Sequence, residues 1–268
     1  MPMRRREFLT LAAASPLARP SAMSQADVAV IPIREAGTFQ VVFKSPKPQP
    51  NALQATREGL WIMDQGEGGW AHLVSYDGKV IKGFPTEAVG ASGITYDGEF
   101  LWLASTVTRE TIKTDANTGR AVAKHPTPPK PDPQAQVARG GRGNTNPNVR
   151  PNPLGTGARG QEWKDGSLWS ASGPVRKVFR IDPQKWVVEL EWPVLGDRAH
   201  GLGWEGDHLW VADGNLRAFH KHDSRTGKVV EQIKLESEDP EPHGMTIWDG
   251  YLWYSDTGTG SVLRAKLS

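Results

Sequence analysis

His200-Gly201-Leu202-Gly203-Trp204-Glu205-Gly206-Asp207-His208-Leu209-Trp210-Val211-Ala212-Asp213 opens a stretch that continues through Leu216 to His222, a turn at Asp223-Ser224-Arg225-Thr226-Gly227, and Lys228 to Leu235. It reads as four short strands. Apolar runs rich in Val, Ile and Trp are broken by Gly-Asp and Thr-Gly turns, and glycine supplies the positive φ that tight hairpins need. The Leu-Trp pair of this stretch recurs, its tryptophan falling at Trp61, Trp102, Trp169, Trp210 and Trp253, at intervals of 41, 67, 41 and 43 residues. The long interval holds a Pro/Gly/Asn-rich insertion. A period near 42 residues with four strands per unit predicts the blades of a β-propeller.

Similar turns lie at Asp77-Gly78, Asn117-Thr118-Gly119 and Asp182-Pro183, and no segment of helical period competes. The last copy supplies about three strands, whereas Thr38 to Phe43 is a lone strand ahead of the first copy. The all-β reading is therefore five four-stranded blades, the last closed by the N-terminal strand, which leaves no open edge between first and last blades. A sixth blade would need Val28 to Ile33 and Phe39 to Phe43 to supply most of it, and that stretch is short.

The chain has 268 residues, a net charge of +2 and no cysteine. Disulfides, thiolate metal ligands and Cys-ligated iron–sulfur clusters are excluded. The near-balanced charge gives no argument for a nucleic-acid partner, and no apolar run approaches the roughly 20 residues that span a bilayer. Arg4-Arg5-Arg6-Glu7-Phe8-Leu9-Thr10 precedes a short Ala-rich stretch and resembles a twin-arginine signal through Arg5, Arg6, Phe8 and Leu9. That resemblance implies export by the twin-arginine translocase, a periplasmic or extracellular location, a signal over residues 1–26 and a propeller over 27–268. Residues 126–158, with eight prolines, form the insertion between blades 2 and 3. Such composition cannot bury a core and reads as a linker or a basic lid over the channel.

Counting back ten positions from each repeat tryptophan gives Asn51, Ser92, Arg159, His200 and His243, four of them followed by glycine. The first strand of each blade lines the central channel, so this register predicts a polar ring around one mouth, with glycine allowing close backbone approach. His200 and His243 are candidate acid/base groups or metal ligands, Asn51 a third ligand, and Arg159 a holder of a carboxylate or oxyanion. Two histidines and an amide are a thin set for zinc. Ser92 is a candidate substrate-binding residue, as is Glu241 in the loop that leads to the last blade. Asp64, Ser105, Ser172, Asp213 and Asp256 follow each tryptophan by three positions. They read either as turn caps or, for Asp213 and Asp256, as groups that face the mouth. Three positions after the ring register lie Gln54, Thr95, Glu162, Gly203 and Thr246, with Glu162 the one ionisable group. Strand alternation puts Glu162 on the face opposite Arg159 unless a bulge near Gly160 intervenes.

The blade motif resembles the gluconolactonase (senescence marker protein) group, whose Asn-Gly or Asp-Gly opens the inner strand and binds a divalent metal; Asn51, His200 and His243 occupy the matching positions. Glu241-Pro242-His243-Gly244-Met245-Thr246 is similar to a loop of the streptogramin (virginiamycin B) lyase group, where His and Glu bind a metal and drive a β-elimination. Both groups have six or seven blades. Five blades resemble the glutamine cyclotransferases, of whose glutamates Glu162 alone has a counterpart. These resemblances imply an exported enzyme that opens a lactone or carries out an elimination on a small polar or anionic molecule, aided by one divalent metal ion. Glutamine-cyclotransferase-like acyl transfer and a non-catalytic binding propeller are the alternatives.

Overall fold

The computed structural model describes residues 31–128 and 157–267. The twin-arginine stretch and most of the 126–158 insertion fall outside them. Twenty strands form five antiparallel four-stranded sheets, and in blades 1 to 4 each strand pairs with the next in sequence. The inner strands are Pro50–Thr56, Ala91–Tyr96, Gln161–Lys164, Ala199–Glu205 and Met245–Trp248. In blade 5 the order is Gln40–Lys44, Ser261–Lys266, Tyr251–Asp256, Met245–Trp248, so the N-terminal strand supplies the outer edge as expected. Among the described residues there is no helix long and apolar enough to cross a membrane.

The core is divided into five wedges, one between each pair of neighbouring blades, and each wedge contains one repeat tryptophan. All five indoles are 0–5% exposed, and truncating such a side chain to Ala costs about 3–5 kcal/mol. Facing the tryptophan across the strand pair stands a cation in four blades: Lys113 opposite Trp102, Arg180 opposite Trp169, Lys221 opposite Trp210 and Arg264 opposite Trp253. In blade 1 the facing residue is Leu73, and Lys82 from the outer strand takes over at 5.2 Å from the Trp61 ring. The aliphatic stems cover the groove, and the heads of Lys221 and Arg180 pair with Glu205 and Glu189.

The inner strands begin with a β-bulge. Pairing slips between Pro50 and Ala52, Ala91 and Gly93, and Ala199 and Leu202. In the other two blades Arg159 and Gly160 both bond Ala171, and His243 and Gly244 both bond Ser255. A bulge shifts the alternation by one residue and re-aims the side chains beyond it. Arg159 and Glu162 therefore share a face, the conditional outcome of the sequence reading. The glycines after the ring residues let neighbouring inner strands touch: a Cβ on Gly93 would lie 2.3 Å from the Arg159 carbonyl oxygen, on Gly160 1.8 Å from that of His200, and on Gly201 2.2 Å from the Met245 nitrogen.

Candidate functional site

Three sequence registers become three tiers of the channel. The neck is the predicted ring. Asn51 Nδ2 donates to Ser92 Oγ at 2.9 Å, Arg159 Nη1 donates to His200 Nε2 at 2.5 Å, and the His200 and His243 rings meet edge to face at 5.0 Å. The lip, two positions earlier, is Gln49, Gly90, Gly157, Arg198 and Glu241. There Arg198 and Glu241 form an ion pair at 2.6 Å. The floor is the later register: Thr95 donates to Gln54 Oε1 at 2.5 Å, Gln54 Nε2 donates to the Ala55 carbonyl at 3.1 Å, and the Gln54 amide lies close enough to Glu162 to act against the rise of its pKa.

Arginine only donates, which fixes the imidazole tautomers. His200 Nε2 accepts from Arg159 and its proton sits on Nδ1, which has no partner among the described residues. His243 Nδ1 donates to the Glu241 carbonyl at 3.2 Å, while Nε2 faces Arg198 Nη2 at 3.3 Å and Thr257 Oγ1 at 3.1 Å. Both histidines are neutral. Burial, then Arg159, His243 and Arg198 hold His200 well below its ordinary value. Burial lowers His243 too, against the opposing pull of Glu241. Arg159 is pushed down to about 10 by burial and by Arg198, and no carboxylate pairs with it among the described residues. Glu162, 4% exposed, is pushed up to about 8 by burial, partly offset by the Trp163 N–H and the Gln54 amide.

His200, His243 and Arg159 are thus brought together, and Glu162 lies a tier below them. Asn51 and Ser92 pair with each other on the opposite side of the neck. Glu241 reaches the lip and stands 3.9 Å from His243 Nε2. Asp213 and Asp256 sit behind the neck as turn caps. Asp213 accepts from the Arg198 and Leu216 N–H groups, and Asp256 from those of Gly258 and Thr259. Arg198, Thr257 and Gln54 carry polar contacts that sequence reasoning passed over. Reading the repeat two positions earlier would have paired Arg198 with Glu241.

The expected metal centre does not fit these residues. A divalent ion needs imidazole lone pairs, and both Nε2 atoms already accept hydrogen bonds beside guanidinium cations. Among the described residues no group of three or more His, Asp or Glu is placed to hold a metal. Asn51, His200 and His243 are uncharged, and the positive charge beside them is carried by Arg159 and Arg198.

Five four-stranded blades with a polar neck define a five-bladed β-propeller. No family model matches the chain, and no curated protein sequence matches it. The fold is similar to that of the glutaminyl cyclase of Myxococcus xanthus, with a TM-score of 0.63 and 11% identity over 88% of this chain and 98% of that one. The virginiamycin B lyase of Staphylococcus aureus superposes with a TM-score of 0.49 and 16% identity over 84% of this chain and 69% of that one. At such identities the likeness concerns the fold alone.

Proposed function

We propose that the mouth binds a small molecule through a carboxylate and performs acid–base hydrolysis or elimination on it without a metal. The observation that carries this reading is the Arg159 guanidinium, largely buried, beside a neutral histidine and without a carboxylate partner among the described residues. A buried cation of this kind is costly unless an anion completes it. The lip residues of blades 2 and 3 are Gly90 and Gly157, whereas on the side of His243 Arg198 and Glu241 form an ion pair.

The chemistry follows from one exchange of partners. A substrate carboxylate that engages the Arg159 fork bidentately draws the guanidinium off His200 Nε2. The lone pair is then free, and neutralising Arg159 removes one of the charges that depress the imidazole, so His200 gains basicity once substrate is bound. Acyl transfer of the glutamine-cyclotransferase kind would rely on Glu162, which lies on the floor with its carboxyl accepting from the Trp163 N–H. The lip and neck carry the proposal instead.

The test is calorimetric binding of short-chain and aromatic carboxylates, followed by turnover of the lactones and β-substituted acids related to the best binder, in EDTA throughout. Arg159→Gln should raise KM by about tenfold or more with kcat largely kept, and His200→Asn should lower kcat with KM kept. Carboxylate binding indifferent to Arg159→Gln would sink the proposal; binding without turnover would leave a ligand-binding propeller.

A further inference from the structure

A second site lies at the opposite end of the molecule, in the groove between blades 3 and 4. A cavity of about 260 Å³ opens there, lined by the inner hairpin turns of both blades and the outer turn of blade 4. Its walls have three chemistries. Trp169 and Trp204 meet edge to face at 5.1 Å and supply the apolar surface. Arg180, Arg225 and Lys164 supply positive charge, the last held 4.4 Å from the Trp204 ring centre. Asp165 and Asp207, with the Ser167 and Ser224 hydroxyls, supply acceptors and donors.

Part of the groove between blades 3 and 4 is filled by Trp192, which stacks 4.6 Å from His222 and lies against Gly227. Trp204 Nε1 is left without a hydrogen-bond acceptor among the described residues, and buried donors are normally satisfied.

We infer that this groove binds a single-ring acidic sugar, a hexuronate or a similar hydroxylated carboxylate. The arginines take the carboxylate, Asp165 and Asp207 accept from ring hydroxyls, and the indoles cover the C–H face. A cavity below about 300 Å³ limits the occupant to one ring. The carboxylates in the wall distinguish this site from a plain phosphate trap, because they repel a bare anion and accept from a hydroxylated one.

The experiment uses the intact protein with 15N-labelled tryptophan, whose 11 indoles each give one N–H resonance. The resonance that disappears in Trp204→Phe is Trp204. Sodium D-glucuronate is expected to shift the Trp204 and Trp169 resonances saturably, and D-glucose to shift them much less. Arg180→Gln/Arg225→Gln, compared with Arg225→Gln alone and checked for an unchanged Tm, should weaken glucuronate by about fivefold or more. Arg159→Gln at the mouth should leave it unchanged, which separates this site from the proposed catalytic one. No shift with glucuronate, an equal shift with sodium chloride, or a shift retained in the double arginine variant would overturn the inference.

Discussion

Arg159 Nη1 donates to His200 Nε2 at 2.5 Å, and this one contact occupies an atom that the ligand reading of the ring would need. The imidazole lone pair that a metal would need is the atom the guanidinium occupies, and the same holds for Arg198 and His243. Zinc should bind the parent protein weakly, and Arg159→Ala/Arg198→Ala should bind it about tenfold more tightly or better, because both lone pairs are freed and two positive charges are gone. Titration calorimetry at neutral pH decides. Stoichiometric metal in the purified parent, or tighter zinc binding by the parent than by the double variant, would refute the assignment.

The pH dependence of stability has two limbs with different owners. Buried neutral histidines bind protons less readily folded than unfolded: His220 is pushed down to about 3 and His222 to about 4, in both cases chiefly by burial, and His200 and His243 are lowered as well. The stability they contribute is whole above the ordinary histidine value and is lost as pH falls through 6.5 toward the folded values. Glu162 runs the other way. Its folded value of about 8 exceeds the ordinary 4.5, so stability falls as pH rises from 4.5 to 8 and levels off beyond. At about 1.4 kcal/mol per pKa unit the Glu162 limb is on the order of a few kcal/mol. Glu162→Gln keeps the shape and removes the charge, so its Tm should exceed that of the parent at pH above 8 and lose the alkaline decline. An unchanged alkaline slope in a calorimetric series would show that Glu162 is not its source.

The backbone contacts at the neck make a sharper prediction about folding. A Cβ at Gly160 would lie 1.8 Å from the His200 carbonyl oxygen, and backbone on both sides cannot give way cheaply. Gly160→Ala should cost about 3 kcal/mol, at the upper end of overpacking penalties. Gly206, at φ +57 with nothing within 4 Å of the added carbon, should cost about 1–2 kcal/mol from its backbone conformation alone. Urea unfolding of the two variants compares them directly, and equal losses would contradict the close approach of blades 3 and 4.

Blade number, closure and the neck register were legible because they repeat: Trp61 to Trp253 mark the wedges, and ten residues before each stands a neck residue. The bulge was legible only as a condition, since Arg159-Gly160 reads equally well as regular strand until the paired Ala171 is known. The charge of the site depends on contacts between repeats. Asn51, His200 and His243 look like ligands one at a time; Arg198, two positions before His200 and outside the register counted, supplies the charge that changes their meaning. The Trp–cation pairs, eleven residues apart in four blades, were visible in the repeat and were passed over because hydrophobic periodicity does not count cations.

Ring closure is held by two devices, and they can be separated. Gln40–Lys44 pairs with Ser261–Lys266 to complete blade 5. Ahead of it, the segment from Ile31 to Arg34 runs along the outer strand of blade 4: Gln232 donates from its backbone to Pro32 and from its side chain to Ile31, and accepts from the Arg34 N–H at 2.8 Å. Arg34 also pairs with Glu205 at 2.8 Å. Removing the chain through Lys44 strips both devices and leaves Ser261–Lys266 as an unprotected edge, which should lower Tm markedly and promote association through that edge. Gln232→Ala weakens only the strap, and should cost about 1–2 kcal/mol with the protein unchanged in oligomeric state. A peptide spanning residues 38–48, added to the truncated protein, should pair with the exposed strand and recover much of the lost Tm, because an open strand edge accepts a matching strand in trans. A truncated protein that stays monomeric with its Tm unchanged would show that the hydrophobic wedge around Trp253, rather than the added strand, closes the ring.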